Sequence, residues 1–131
     1  MHKLAIIIDD DPISILVCET LLKKTNFAET VKSFKSGGEG LTFLKSRFEA
    51  VGSLPDIIFL DVYMPVMSGW EFLEAYEQLE NLPEKRPHVM MLSAAFDPAD
   101  RQKAEDSVLV TDFISKPITT EILVGMMAEK S

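Results

Sequence analysis

The chain has 131 residues, 47% of them hydrophobic and 8% aromatic, which suits one globular domain with one core and leaves no room for a second. Thirteen Lys and Arg against 21 Asp and Glu give a net charge of -8, and the absence of a basic cluster excludes a nucleic-acid surface. Apolar stretches stop at about five residues where a membrane-spanning helix needs ~20, and no apolar leader opens the chain. With Cys18 alone and unable to pair internally, a soluble cytoplasmic protein is expected.

In chain order, residues 4–8 (LAIII) form a continuous apolar run, the mark of a strand covered on both faces. Asp11 before Pro12 reads as a helix N-cap followed by a first-turn proline. Ile13, Leu16, Val17, Leu21 and Leu22 then predict an amphipathic helix over 12–25 that stops near Asn26, with Cys18 as a small buried filler. Residues 29–34 suit a less buried strand. Gly37 and Gly38 introduce a second helix with Leu41, Leu44, Phe48 and Val51 along one face.

Pro55 and Asp56 lead into the strand IIFL, which ends on Asp61. After the loop VYMPVMSG, Ser68 caps a third helix carrying Phe72, Leu73, Tyr76 and Leu79. Pro83 and Pro87 bracket a loop before HVMML, which ends on Ser93. Asp97 and Pro98 start a fourth helix through about Ser107, poor in apolar residues beyond Ala99 and Ala104 and therefore loosely held. Residues 108–115 supply the last strand, and Thr119 caps a final helix with Ile122, Leu123, Met126 and Met127. Five alternations of strand and helix predict a doubly wound parallel sheet covered on both faces, with any ligand at the carboxyl ends of the strands.

Those ends carry Asp9 and Asp10, Asp61, Ser93 and Lys116. Three converging carboxylates repel one another and call for a cation. Mg²⁺ takes few protein carboxylates and keeps several waters, so Asp10 and Asp61 as ligands, with Asp9 acting through water, form a reasonable set. Asp61 can also act as a nucleophile toward phosphorus if a metal and a cation neutralise the transferring group, and Lys116, fixed before Pro117, fits that cation. The Lys116–Pro117 bond is one that can be cis. Ser93 can donate a hydrogen bond to a phosphoryl oxygen once that group has arrived. Ala94 and Ala95 leave room for it to move. Each residue alone has a plainer reading: an acidic turn with a helix cap for Asp9 to Asp11, a turn-forming Asp61, a loop hydroxyl for Ser93, and a solvated Lys116.

Together the motifs IIIDDDP, IIFLDVYMPVMSG, MLSA and ISKPI resemble those of the receiver domains of two-component response regulators, of the single-domain chemotaxis-regulator type, over essentially the whole chain, 1–131. The resemblance implies a flavodoxin-like sheet of order 2-1-3-4-5 and Mg²⁺ bound by Asp9, Asp10, Asp61 and the backbone carbonyl of Tyr63. It further implies phosphorylation of Asp61 by a sensor histidine kinase or histidine phosphotransfer protein, with Ser93 and Lys116 contacting the phosphoryl group and Phe113 as the aromatic switch. Phe113 also reads as an ordinary core aromatic. Tyr63, bulky beside the phosphoacceptor, is expected to shield the acyl phosphate from water.

No output module fits in the chain, so the signal is expected to leave through contact with another protein or by onward phosphotransfer. Met1 suggests a natural amino end and a stand-alone regulator, with an excised receiver as the alternative. A phosphatase resembling the haloacid-dehalogenase type would carry a D-x-D motif, whose second Asp is Tyr63 here, so an enzyme acting on external phosphoesters is not expected. Neither GxxxxGK nor GxGxxG occurs, which counts against a nucleotide-binding module. A phosphorylation-independent scaffold is a third reading, opposed by the complete polar set.

Overall fold

In β3 (Ile57–Asp61) every residue is buried, as are the last five of β1 (His2–Ile8) and all but the first of β4 (His88–Ser93). Strands without alternation need cover on both faces, and helices supply it. The computed structural model describes residues 2–79, 82–95 and 97–129, so Met1 lies outside them. Its five parallel strands stand in the order β2-β1-β3-β4-β5, with β2 (Ala28–Phe34) and β5 (Asp112–Ser115) at the edges. The helices are α1 (Pro12–Lys24), α2 (Gly37–Val51), α3 (Gly69–Glu77), α4 (Pro98–Asp106) and α5 (Thr120–Glu129).

Alternate residues of each central strand feed two separate cores. Ile6, Ile8, Ile58, Leu60 and Met91 pack with Leu44 of α2, Phe72, Leu73 and Tyr76 of α3, and Ala104 of α4. Ala5, Ile7, Ile57, Phe59, Met90 and Leu92 pack with Ile15, Cys18 and Leu22 of α1, and with Leu123 and Met126 of α5. Burial pushes the Cys18 thiol up to about 12, consistent with a filler and not a nucleophile.

The caps follow the sequence closely. Asp11 accepts from the Ile13 amide at 3.0 Å, Asp97 from Ala99 at 2.9 Å, and Thr119 from Ile122 at 3.2 Å. Ser68 and Glu71 form a reciprocal capping box at the start of α3.

Three expectations need correction. On α1 the buried residues are Ile15, Cys18 and Leu22, whereas Ile13, Leu16 and Val17 are 72%, 62% and 38% exposed. Apolar residues occur nearly all round this helix, so periodicity alone did not select the inward stripe. Val51, at the last turn of α2, points to solvent at 61% exposure, because the helix ends there on Gly52 in the left-handed conformation (φ 72°). β5 begins at Asp112 and not at Val108, since Ser107 accepts from the Leu109 amide and turns residues 107–110 before pairing starts with Thr111 N–H to Val89 C=O at 2.8 Å.

At the amino ends of the strands, opposite the predicted site, lies a cavity of about 610 Å³ lined by Lys3, Arg47, Lys85 and Arg86 around Asp56.

The helices α3 and α4 are both nine residues long, yet α3 buries Gly69, Phe72, Leu73 and Tyr76 whereas α4 buries only Ala104. Local opening free energy follows such burial. Backbone amides of α4 are expected to exchange with deuterium at least tenfold faster than those of α3 in native-state hydrogen exchange, and equal protection of the two helices would contradict this.

Candidate functional site

Among the described residues, the buried polar and charged ones are Asp9, Asp61 and Ser93. All three stand at or just beyond carboxyl ends of strands: Asp9 after β1, Asp61 closing β3 and Ser93 closing β4. Parallel pairing aligns Ile8 with Leu60, Asp61 with Leu92 and Ser93 with Ser115, which brings these ends to one edge of the sheet.

Asp9, Asp10 and Asp61 each offer a carboxylate oxygen, and the three oxygens lie within 4.8 Å of one another. The Lys116 ammonium reaches this cluster from the loop after β5, donating to Asp9 Oδ2 at 2.7 Å and standing 3.4 Å from Asp61 Oδ1. The Lys116–Pro117 bond is cis. Lys116 Nζ also donates to Ser14 Oγ at 3.3 Å. Ser14 was not singled out from the sequence, although its place three residues after the Asp11 cap puts it in the first turn of α1, facing the same crevice.

The electrostatics match this crowding. Burial foremost, then the Asp9 charge, pushes the Asp61 carboxyl up to about 7 against the opposing attraction of Lys116. Burial of the Lys116 ammonium opposes its charge, but the hydrogen bond from Lys116 to Asp9 and the charges of Asp61 and Asp9 outweigh it and hold the pKa above the usual lysine value. All the clustered donors are hard carboxylate oxygens from two strand ends, a set that fits a small divalent cation.

The loop after Asp61 is shaped by contact with the sheet. Gly69 donates to Val62 C=O at 2.8 Å, and a Cβ there would stand 2.5 Å from the Asp61 carbonyl oxygen, so the position requires glycine for close approach. Val66 takes φ 71°, an uncommon conformation for a β-branched residue, and is fully exposed.

Ser93 Oγ donates to Ala95 C=O at 2.6 Å and accepts from Ala95 N–H at 3.2 Å, so its hydroxyl is engaged by its own loop. Phe113 is 8% exposed and packs in the core beside Ala104. It also lines a cavity of about 160 Å³ with Arg101 and Glu105. Tyr63 is 49% exposed, and its hydroxyl donates to Asp100 and, at 3.4 Å, to Asp97. Trp70 Nε1 donates to the other oxygen of Asp100 at 2.9 Å. Sequence reasoning gave no role to Asp100 or Trp70, because their meeting depends on how α3 and α4 pack.

The fold and the site define a doubly wound α/β protein with a buried strand-end carboxylate, a second acidic pair and a lysine converging on it. A model of the response regulator receiver domain matches residues 5–128. An uncharacterized response regulatory protein of Vibrio cholerae is 31% identical over 91% of this chain, which spans 44% of that relative's length. Among solved structures, a two-component response regulator from Cytophaga hutchinsonii superposes with a TM-score of 0.88 at 31% identity, covering 98% of this chain and 96% of that one. A receiver protein from Dyadobacter fermentans gives 0.81 at 28% identity, covering 97% and 96%. The chain belongs to the response regulator receiver domain family of two-component phosphorelay signalling, a family in which phosphorylation of an aspartate is typical. Its five-stranded order 2-1-3-4-5 is that of the fold family. Among the described residues no helix is long and apolar enough to cross a membrane.

Because folding raises the Asp61 pKa from 3.8 to about 7, the folded chain binds more protons than the unfolded chain between those values, and Asp61 lowers stability as pH rises through that window. A divalent cation held by this cluster would relieve the resulting repulsion. Added Mg²⁺ is expected to raise the melting temperature by several degrees at about pH 8 and by much less at about pH 5, read by calorimetry. Equal shifts at both pH values would contradict the assignment.

Proposed function

We propose that Asp61 is the phosphoacceptor of this receiver, taking a phosphoryl group from a phosphohistidine on a sensor kinase or histidine phosphotransfer protein. The observation that carries this is the convergence of Lys116 on both Asp9 and Asp61 at distances of 2.7 and 3.4 Å. In the step, an Asp61 oxygen attacks phosphorus as the bond to the donor imidazole breaks, and the imidazole nitrogen leaves with the electron pair. Lys116, already oriented toward Asp61, pairs with the incoming phosphoryl oxygens. Asp9, Asp10, Asp61 and the Tyr63 carbonyl would hold Mg²⁺, which supplies charge neutralisation at the transferring group. Ser93 Oγ exchanges its Ala95 partners for a phosphoryl oxygen, and Phe113 answers that movement next to α4.

The exposed apolar residues Ile13, Leu16 and Val17 of α1 support docking of the phosphodonor beside the site. A groove of about 330 Å³ lined by Ile13, Val17, Lys116 and Pro117 adjoins them. Output passes by protein contact or onward phosphotransfer, and the domain catalyses only its own phosphorylation and dephosphorylation. The cytoplasm is its proposed compartment.

Incubation with acetyl phosphate and Mg²⁺ is expected to add one phosphoryl mass to the wild-type chain and none to Asp61→Asn, as seen by intact mass spectrometry. An unmodified wild type or an equally modified variant would overturn the assignment. The half-exposed Tyr63 ring, two residues after Asp61, is proposed to shield the acyl phosphate. Tyr63→Ala should shorten the lifetime of phospho-Asp61 severalfold while Tyr63→Phe preserves it. Decay rates measured after donor removal decide this.

A further inference from the structure

Phosphoryl chemistry at Asp61 has to be felt by α4, and α4 has few attachments through which to feel it. Beyond Ala104, the helix buries no residue. Its amino end is held by side chains. Asp97, its N-cap, and Asp100, one turn on, both accept from the Tyr63 hydroxyl. Asp100 also accepts from Trp70 Nε1 at 2.9 Å, using the oxygen that Tyr63 does not engage. Lys103, three residues further along the same face, places its ammonium 4.8 Å from the Trp70 ring centroid. One carboxylate of α4 thus joins the loop that follows the phosphoacceptor, through Tyr63, and α3, through Trp70.

This arrangement coexists with Ser93 turned to Ala95, in the loop that leads into Asp97. When Ser93 Oγ leaves for a phosphoryl oxygen, that loop loses both hydrogen bonds, and the Asp100 contacts then oppose displacement of the helix. A contact present in one state and strained in the other shifts the equilibrium between them, and by linkage it changes the affinity of any ligand that prefers the second state.

We propose that Asp100 is a positioning residue that latches α4 to Tyr63 and Trp70 in the unphosphorylated receiver, so that part of the phosphoryl group's binding energy is spent in releasing it. The latch sets the threshold of the switch. It also makes Tyr63 bifunctional, since the residue whose carbonyl would face the metal carries at its other end the hydroxyl that restrains α4. The proposal rests on Asp61 being the phosphoacceptor.

The test titrates the full chain with beryllofluoride and Mg²⁺, a mimic of the aspartyl phosphate, following binding by calorimetry and α4 by amide hydrogen exchange. Tyr63→Phe keeps the ring and the backbone carbonyl and removes only the hydroxyl. It and Asp100→Ala are each expected to bind beryllofluoride about three- to tenfold more tightly than wild type, the range set by losing one or two hydrogen bonds to a partly exposed charged acceptor. The double variant should fall short of the product of the two single effects, because the Tyr63–Asp100 tie is cut by both changes and only the long Tyr63–Asp97 contact, at 3.4 Å, is left for Tyr63→Phe to remove in the Asp100→Ala background. Asp100→Asn, which retains an acceptor oxygen, should fall between. Faster exchange in α4 with beryllofluoride affinity unchanged or weakened would reduce Asp100 to a purely structural residue and overturn the latch. Failure of wild type to bind beryllofluoride would overturn the phosphoacceptor reading itself, and the latch with it.

Discussion

The structure depends on holding Asp61 and Asp9 side by side, nearly out of water, with Lys116 between them. Two like charges in that setting are unfavourable, which is why burial and Asp9 together raise the Asp61 pKa so far. The sheet makes the crowding unavoidable. In a parallel ladder a slip of one residue would carry every side chain to the opposite face, so the alternation that fills two separate cores also fixes where Asp61 emerges. Packing thus enforces an electrostatic conflict that a cation is suited to resolve.

The helices divide their work accordingly. α3 is anchored by Phe72, Leu73 and Tyr76 and begins at Gly69, whose lack of a side chain lets it sit against the Asp61 carbonyl. That helix fixes the far end of the loop beside the site. α4 has the opposite character, with one buried alanine and a set of polar ties to its neighbours. Polar ties at a surface are individually weak and geometrically demanding, so α4 is held less firmly than α3. Apolar burial thus holds α3, whereas α4 relies on polar ties.

Much of this was legible in the sequence. Buried parallel strands betray themselves as unbroken apolar runs, and Asp-Pro at the starts of α1 and α4 gave both boundaries because cap chemistry is local. The convergence of Asp9, Asp61, Ser93 and Lys116 followed from strand ends alone. The inward face of α1 was less accessible, since Ile13, Leu16 and Val17 are as apolar as the residues that were buried. The Tyr63–Asp100–Trp70 contact was out of reach, because three residues separated by up to 37 positions meet only through the packing of α3 and α4. Local rules read caps and strands, whereas contacts between helices belong to the assembled fold.

The cavity at the amino ends of the strands gathers Lys3, Arg47, Lys85 and Arg86, while the opposite rim gathers Asp9, Asp10, Asp11 and Asp61. In a molecule of net charge -8 the groups at these two rims are therefore mainly of opposite sign along the strand direction. A positively charged partner surface would turn the receiver as the two approach, presenting the acidic rim before any side chain touches. Orientation of this kind acts on the rate of encounter and fades as ionic strength rises. The same parallel sheet that collects the reactive groups also aims them.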